Sequence, residues 1–156
     1  GHSVPIPNRC AQPAGERYRA AVIEHAVDAG QDRLVLELRE AYSTEADLAS
    51  LRRTVALHRE APHGWVEIED RARFADGPGS LATQLVTFAR VEVSPGVVLI
   101  RGDRGRLRVE YPEGIAVEVL EDRGVELSVG PTDVRRIRFS APAAREASIR
   151  LRLVPA

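Results

Sequence analysis

The last third of the chain is a run of short apolar stretches divided by glycine and proline, and that punctuation constrains the fold more than any other feature. Residues 97–101, 106–111, 115–121, 125–129, 134–140 and 148–154 read as short strands: 106–111, 125–129 and 148–154 alternate apolar and polar side chains at the strand period of two, and Val97-Val98-Leu99-Ile100 is a four-residue apolar run that suits a buried strand. Pro95-Gly96, Arg104-Gly105, Glu113-Gly114, Arg123-Gly124 and Gly130-Pro131 stand between them as turn signals. Strands this short, joined by turns, predict an antiparallel arrangement. Helical stretches do not alternate with the strands, so a parallel α/β sheet is excluded. Nor does any longer period repeat, which argues against a propeller or solenoid.

The first two thirds extend the same pattern. Arg17 to Val27 alternates up to a turn at Asp28-Ala29-Gly30, and in Arg33–Arg39 the side chains of Leu34, Leu36 and Leu38 are expected on one face. Residues 43–51 predict one or two helical turns capped by Ser43 or Thr44. Residues 52–59 alternate again, with Val55 and Leu57 inward and Thr54, Ala56 and His58 on the other face. Trp65, Glu67 and Glu69 oppose Val66 and Ile68, and a turn at Asp76-Gly77-Pro78-Gly79 precedes a strand region over 81–93. The expected fold is therefore all-β: an antiparallel two-sheet β-sandwich of about 10–13 short strands, with at most one or two short helical turns.

At 156 residues, 44% hydrophobic and 29% charged, the chain fits one domain over residues 1–156, with residues 1–16 as an extended lead-in carrying three prolines. No apolar run approaches the roughly 18 to 20 residues of a membrane helix, so no membrane partner is expected. Net charge is -1 and aromatic content 4%, and Arg alternates with Glu along the strands, so nucleic acid is not an expected partner either. All 22 basic residues are Arg. A bias spread over the whole chain points to genomic base composition, although Arg is also the side chain that forks carboxylates and sulfates.

The single cysteine, Cys10, rules out an internal disulfide, and no signal peptide is visible. The chain has no Met, so residue 1 is not a natural start, and a processed product or a piece of a longer protein is expected. No P-loop, Gly-x-Ser-x-Gly elbow, His-Glu-x-x-His motif or paired carboxylate setting occurs. No cofactor is expected. His58 is the one position that could serve a structural zinc, and the sequence offers it no neighbouring ligands. Trp65 reads as packing at a core or sheet edge, with a sugar-stacking platform as the alternative.

Three segments carry a resemblance. Gly1-His2-Ser3-Val4-Pro5-Ile6-Pro7-Asn8, followed by Gln12 and Gly15, is similar to a segment of the heparinase II/III-like polysaccharide lyases. Leu36 to Tyr42 followed by Leu51-Arg52-Arg53-Thr54-Val55 resembles that family's strand, Ala-Tyr turn and Leu-Arg-Arg strand. Val66 to Asp70, leading to Arg73-Phe74, resembles its next pair of strands. The three occur in order over residues 1 to about 95, beyond which only the strand rhythm agrees. Arg9 stands where the family often has Gly, and Glu37-Leu38 replaces the usual Asp-Leu.

The resemblance implies a C-terminal sandwich that follows a helical toroid, and no toroid is present in this chain. In the family the toroid supplies Asn, His and Tyr residues central to the chemistry. By the same resemblance His2 is the candidate catalytic residue, with an ordinary surface residue as the alternative. Asn8, Gln12 and Arg52 are candidate substrate contacts, the last because an Arg fork suits a carboxylate or sulfate, with an ion-paired strand residue as its alternative. The implied partners are an acidic polysaccharide and an upstream toroid of the same protein. The implied location is a bacterial periplasm or the exterior, with the cytoplasm left open. The alternative is a non-catalytic carbohydrate-binding or structural sandwich.

Overall fold

A computed structural model describes residues 2–60, 62–128 and 130–156. Gly1, where the first similar segment starts, and Val129, the last residue of one predicted strand, lie outside the described residues. Twelve strands, numbered in chain order, form two antiparallel sheets. The smaller sheet contains β1 (Pro5–Pro7), β6 (Leu81–Thr87), β11 (Gly130–Ser140) and β10 (Ala116–Leu127), in that spatial order. The larger runs β2 (Ala21–Val27), β3 (Gln31–Glu37), β4 (Leu48–His58), β5 (Trp65–Phe74), β12 (Glu146–Pro155), β9 (Gly105–Glu110), β8 (Val97–Gly102) and β7 (Arg90–Ser94). The sandwich expected from the strand rhythm is the fold.

The ladder registers explain the core. Leu51 faces Ala72 and Ala72 faces Ala147; Val55 faces Ile68 and Ile68 faces Leu151. These rows line the inner face of the eight-stranded sheet. Leu81, Leu85, Ile137 and Phe139 answer them from the four-stranded sheet, and Phe74, Phe139, Leu51 and Leu151 are fully buried. Burial of such side chains is worth roughly 1.5–3 kcal/mol each and holds the two layers together. Gly79 is needed at the rim, because a Cβ there would lie 2.5 Å from Phe74 Cδ1.

Several local expectations change. The Arg123-Gly124 pair is a bulge inside one continuous β10, with Gly124 at φ 60°, and not a turn between two strands. Residues 43–51 hold only a 3-10 turn at Thr44–Ala46, after another at Arg39–Ala41. Asp47 is left-handed there and β4 begins at Leu48. The region 81–93 divides into β6 and β7, which belong to different sheets.

The inward assignment on β4 is also modified, and burial on β3 does not follow the shared leucine face. Val35 and Ala56, on the outer face, are buried, while Leu34 and Leu36 are half-buried and Leu57 is 41% exposed. The reason is that the four-stranded sheet covers only part of the larger one. Beyond its edge, β2 is exposed along its whole length, Val22 and Val27 included.

Candidate functional site

The site begins with a short stretch of backbone. From Pro5, the chain pairs with β6 and then leaves the ladder toward His2. Every carbonyl on the way is taken. Gln84 Nε2 donates to His2 O at 3.3 Å, Arg53 Nη1 to Ser3 O at 2.7 Å, Gln84 N to Val4 O at 3.0 Å and Tyr42 OH to Pro5 O at 2.5 Å. The Ser3 hydroxyl in turn accepts from Val86 N at 3.0 Å. The backbone is therefore fixed from both sheets, while the His2 side chain stays exposed. Tyr42 is buried against Pro5, and burial, helped by the charge of Asp70, pushes its phenol well above the usual range.

Arg53 grips Ser3 because it is itself held. It lies directly opposite Asp70 across the β4–β5 ladder, and its Nε and Nη2 donate to the two carboxylate oxygens at 2.7 Å each. Thr83 Oγ1, from the other sheet, donates to Asp70 Oδ2 at 2.6 Å. The row that contains the pair is otherwise apolar: Leu36 flanks Arg53 and Ile149 flanks Asp70. A charge pair in such surroundings survives only when its hydrogen bonds are met, and here both carboxylate oxygens and three guanidinium nitrogens are engaged.

The predicted site residues separate. His2 is the residue that the clamp presents. Asn8 is a brace: at φ 45° it donates from Nδ2 to Ala46 O at 3.0 Å and accepts at Oδ1 from Ser80 N at 2.8 Å. Gln12 is exposed and lies by the Tyr42 hydroxyl. Arg52 points to the opposite side of the eight-stranded sheet from Arg53. There it lines an open depression of about 500 Å³ with Ser50, Arg71, Arg73 and Ser148. The structure thus brings Gln12 and Asn8 to the base of the lead-in and does not bring Arg52 to His2.

His58 also lies on the outer face, stacked on Trp65 with ring centroids 3.6 Å apart, while the Arg152 guanidinium sits 4.5 Å from the Trp65 centroid. Trp65 is thus engaged by protein groups. Among the described residues no group of three or more His, Cys, Asp or Glu side chains converges as a metal site. No helix among them is long and apolar enough to cross a membrane. Residue-type reasoning passed over Asp70, Gln84 and Tyr42 and left Arg53 without a role. A signal was present: Arg53 is in phase with Leu51 and Val55, and Asp70 with Ile68 and Ala72, so two successive strands carry a charge at an inward position.

An antiparallel sandwich of four and eight strands, clamping a histidine-bearing lead-in, is the class that fold and site define together. Neither a protein-family model nor a curated sequence matches the chain. Solved structures do. Heparan sulfate lyase HepC from Pedobacter heparinus matches 88% of the chain with a TM-score of 0.70 at 13% identity. The heparinase III-BT4657 gene product matches 88% at TM-score 0.65 and 10% identity, and a further heparinase III structure 88% at 0.61 and 13%. The chain therefore has the fold of the β-sandwich part of these heparinases. It spans only 22% of the length of HepC and 21% of the other two.

Proposed function

We propose that this chain is the β-sandwich portion of a polysaccharide lyase that cleaves uronic-acid-containing polysaccharide by β-elimination, completed by a helical toroid domain. The observation that carries the reading is the clamp: four consecutive carbonyls are held while the imidazole of His2 is left exposed. The buried Arg–Asp pair fixes the backbone beside His2, which is the kind of support that a positioned acid–base group requires.

The chemistry fits a histidine. The C5 proton of the uronate goes to a base, the C4–O bond breaks, a C4–C5 double bond forms and the leaving oxygen takes a proton. His2 acts as the base, or as a cation beside the uronate carboxylate, and the remaining groups come from the toroid. This chain on its own has no turnover.

The test uses the full-length protein with uronic-acid polysaccharides and follows the ultraviolet absorbance of the unsaturated product. His2→Ala is expected to lower turnover by about 10²–10⁴-fold, the usual contribution of one positioned proton-transfer group. Wild-type turnover in that variant removes His2 from the chemistry, and unsaturated product released by the isolated chain ends the claim that it is incomplete. The competing reading, a non-catalytic carbohydrate-binding sandwich, is favoured by the Arg52–Arg71–Arg73 depression. It predicts binding without product in the full-length protein.

A further inference from the structure

The outer face of the four-stranded sheet, next to the clamp, holds buried polar atoms without a partner among the described residues. Arg138 on β11 lies directly across from Gln84, the residue whose amide grips His2, and Arg136 lies across from Val86, whose N–H holds Ser3. Cross-strand partners share a face with Cβ atoms about 4.5–5.5 Å apart, so the two arginines share a face with Gln84 and Val86, one strand away from the backbone that presents His2. Gln84 is 5% exposed, and its Oε1 has no hydrogen-bond partner among the described residues; Arg136 Nε and Arg138 Nε are likewise unpartnered. Buried polar atoms are ordinarily satisfied, and three orphans on neighbouring residues call for an explanation.

The carboxylates opposite do not supply it fully. Arg136 Nη2 pairs with Asp122 at 2.7 Å, but Arg138 Nη1 is 3.9 Å from Glu118, beyond hydrogen-bonding reach. Arg138 thus carries a charge whose fork no hydrogen bond among the described residues engages. An acid group would accept from its Nε and Nη2 side by side, the bidentate geometry in which Arg binds carboxylate or sulfate. An adjacent hydroxyl would donate to Gln84 Oε1. An acidic sugar offers both groups on one ring.

We propose that Gln84, Arg138 and Arg136 form a subsite for the acid group of an anionic glycan beside His2. The subsite rests on the lyase reading for its place in a reaction, but not for its binding. The depression around Arg52, Arg71 and Arg73 is the weaker candidate, because its arginines are exposed and Arg71 is hydrogen-bonded to Glu69, and none of its side-chain atoms is buried without a partner among the described residues.

The experiment titrates the 156-residue chain with two hexasaccharides, heparan sulfate and unsulfated heparosan. Binding is read by calorimetry and by nuclear magnetic resonance of the Gln84 side-chain amide and the Arg Nε–H signals. Arg138→Gln is expected to weaken binding about ten-fold or more, Arg138→Lys to give an intermediate loss because the charge stays and the fork goes, and Arg52→Gln to change it less than about two-fold. Binding of both glycans assigns the carboxylate as the recognised group; binding of the sulfated one alone assigns sulfate.

Wild-type affinity in both Arg138 variants overturns the subsite. So do perturbations centred on Arg52, Arg71 and Arg73, or no binding of either glycan by the wild-type chain. His2→Ala separates the two readings. If the full-length variant keeps its turnover while Arg138→Gln still weakens binding, the lyase reading falls and the subsite stands. The converse result leaves the lyase reading intact.

Discussion

Arg52 and Arg53 are neighbours on β4, and the sheet divides them. Arg52 points to the outer face, where its side chain is 61% exposed and its contact with Glu37 is 3.6 Å long. Arg53 points between the sheets, is 11% exposed, and shares two 2.7 Å hydrogen bonds with an Asp70 that no solvent reaches. The outer face is a lattice of such exposed pairs: Arg71 and Arg150 on Glu69, Arg152 on Glu110, Arg101 on Glu92. Water screens these pairs and each is replaceable. Between the sheets the Arg53–Asp70 pair is buried, and it cannot be broken from one side without leaving a charge stranded in an apolar row. Chemistry alike in the sequence thus belongs to a solvated surface at one residue and to the clamp behind His2 at the next.

The largest effect expected from this contrast comes from breaking the inner pair. Asp70→Ala leaves the Arg53 guanidinium buried without its counter-charge and is expected to cost about 3–5 kcal/mol, whereas Arg52→Ala stays within about 0.5 kcal/mol. Urea unfolding midpoints measure both, and equal costs would erase the distinction between the faces. The double replacement Arg53→Met with Asp70→Leu sharpens the comparison. An apolar pair of similar volume is expected to recover most of the stability. It still cannot donate to Ser3 O, so the Val86 and Gln84 amides should exchange with solvent faster than in the wild type. Unchanged exchange would mean that Arg53 does not hold the lead-in.

The fold was legible because its signals are local: glycine and proline at turns, period two between them. Where tertiary cover decides, the reading stopped short. Leu34 and Leu36 have the phase of core residues, yet the smaller sheet does not reach far enough to bury them, and no strand pattern reports how wide its opposite layer is. Arg123-Gly124 looks like a turn because Gly124 takes a positive φ, which a bulge needs equally. At the candidate site, His2 was singled out by likeness of segments. The groups that hold it escaped because residue type was weighed before phase: Arg52 and Arg53 look alike until the strand period assigns each a face, and the ion pair weighed for Arg52 is the contact it makes, with Glu37.

Tyr42 tests the clamp from its other end. Its hydroxyl is the donor to Pro5 O, and Tyr42→Phe leaves that buried carbonyl unmet at a cost of about 1–3 kcal/mol, smaller than the loss of a counter-charge. The phenol is raised by burial in the folded chain, so the folded state holds its proton more tightly than the unfolded one. Its contribution is fully present below the ordinary phenol range and is lost as pH rises through the folded value. Wild type should therefore lose stability on the alkaline side of about pH 10, and Tyr42→Phe should lose less of it. Parallel alkaline unfolding curves for the two would place the hydroxyl in contact with water.

The smallest effect belongs to the outer face and has the opposite sign in pH. Burial tends to raise the Glu69 carboxyl, but hydrogen bonds from the Arg71 and Arg150 guanidinium groups outweigh it and hold the group below the usual carboxylate range. A depressed folded value stabilises above the unfolded one and is lost as pH falls through the folded value. Both arginines are more than half exposed, so solvent screening holds the sum to about 1 kcal/mol. Glu69→Gln should then be slightly less stable than wild type near pH 7, with the gap closing as pH falls toward about 3 and narrowing in high salt. A gap that ignores both pH and salt would mean that Glu69 contributes through packing, and the outer face would then resemble the inner one more closely than its exposure allows.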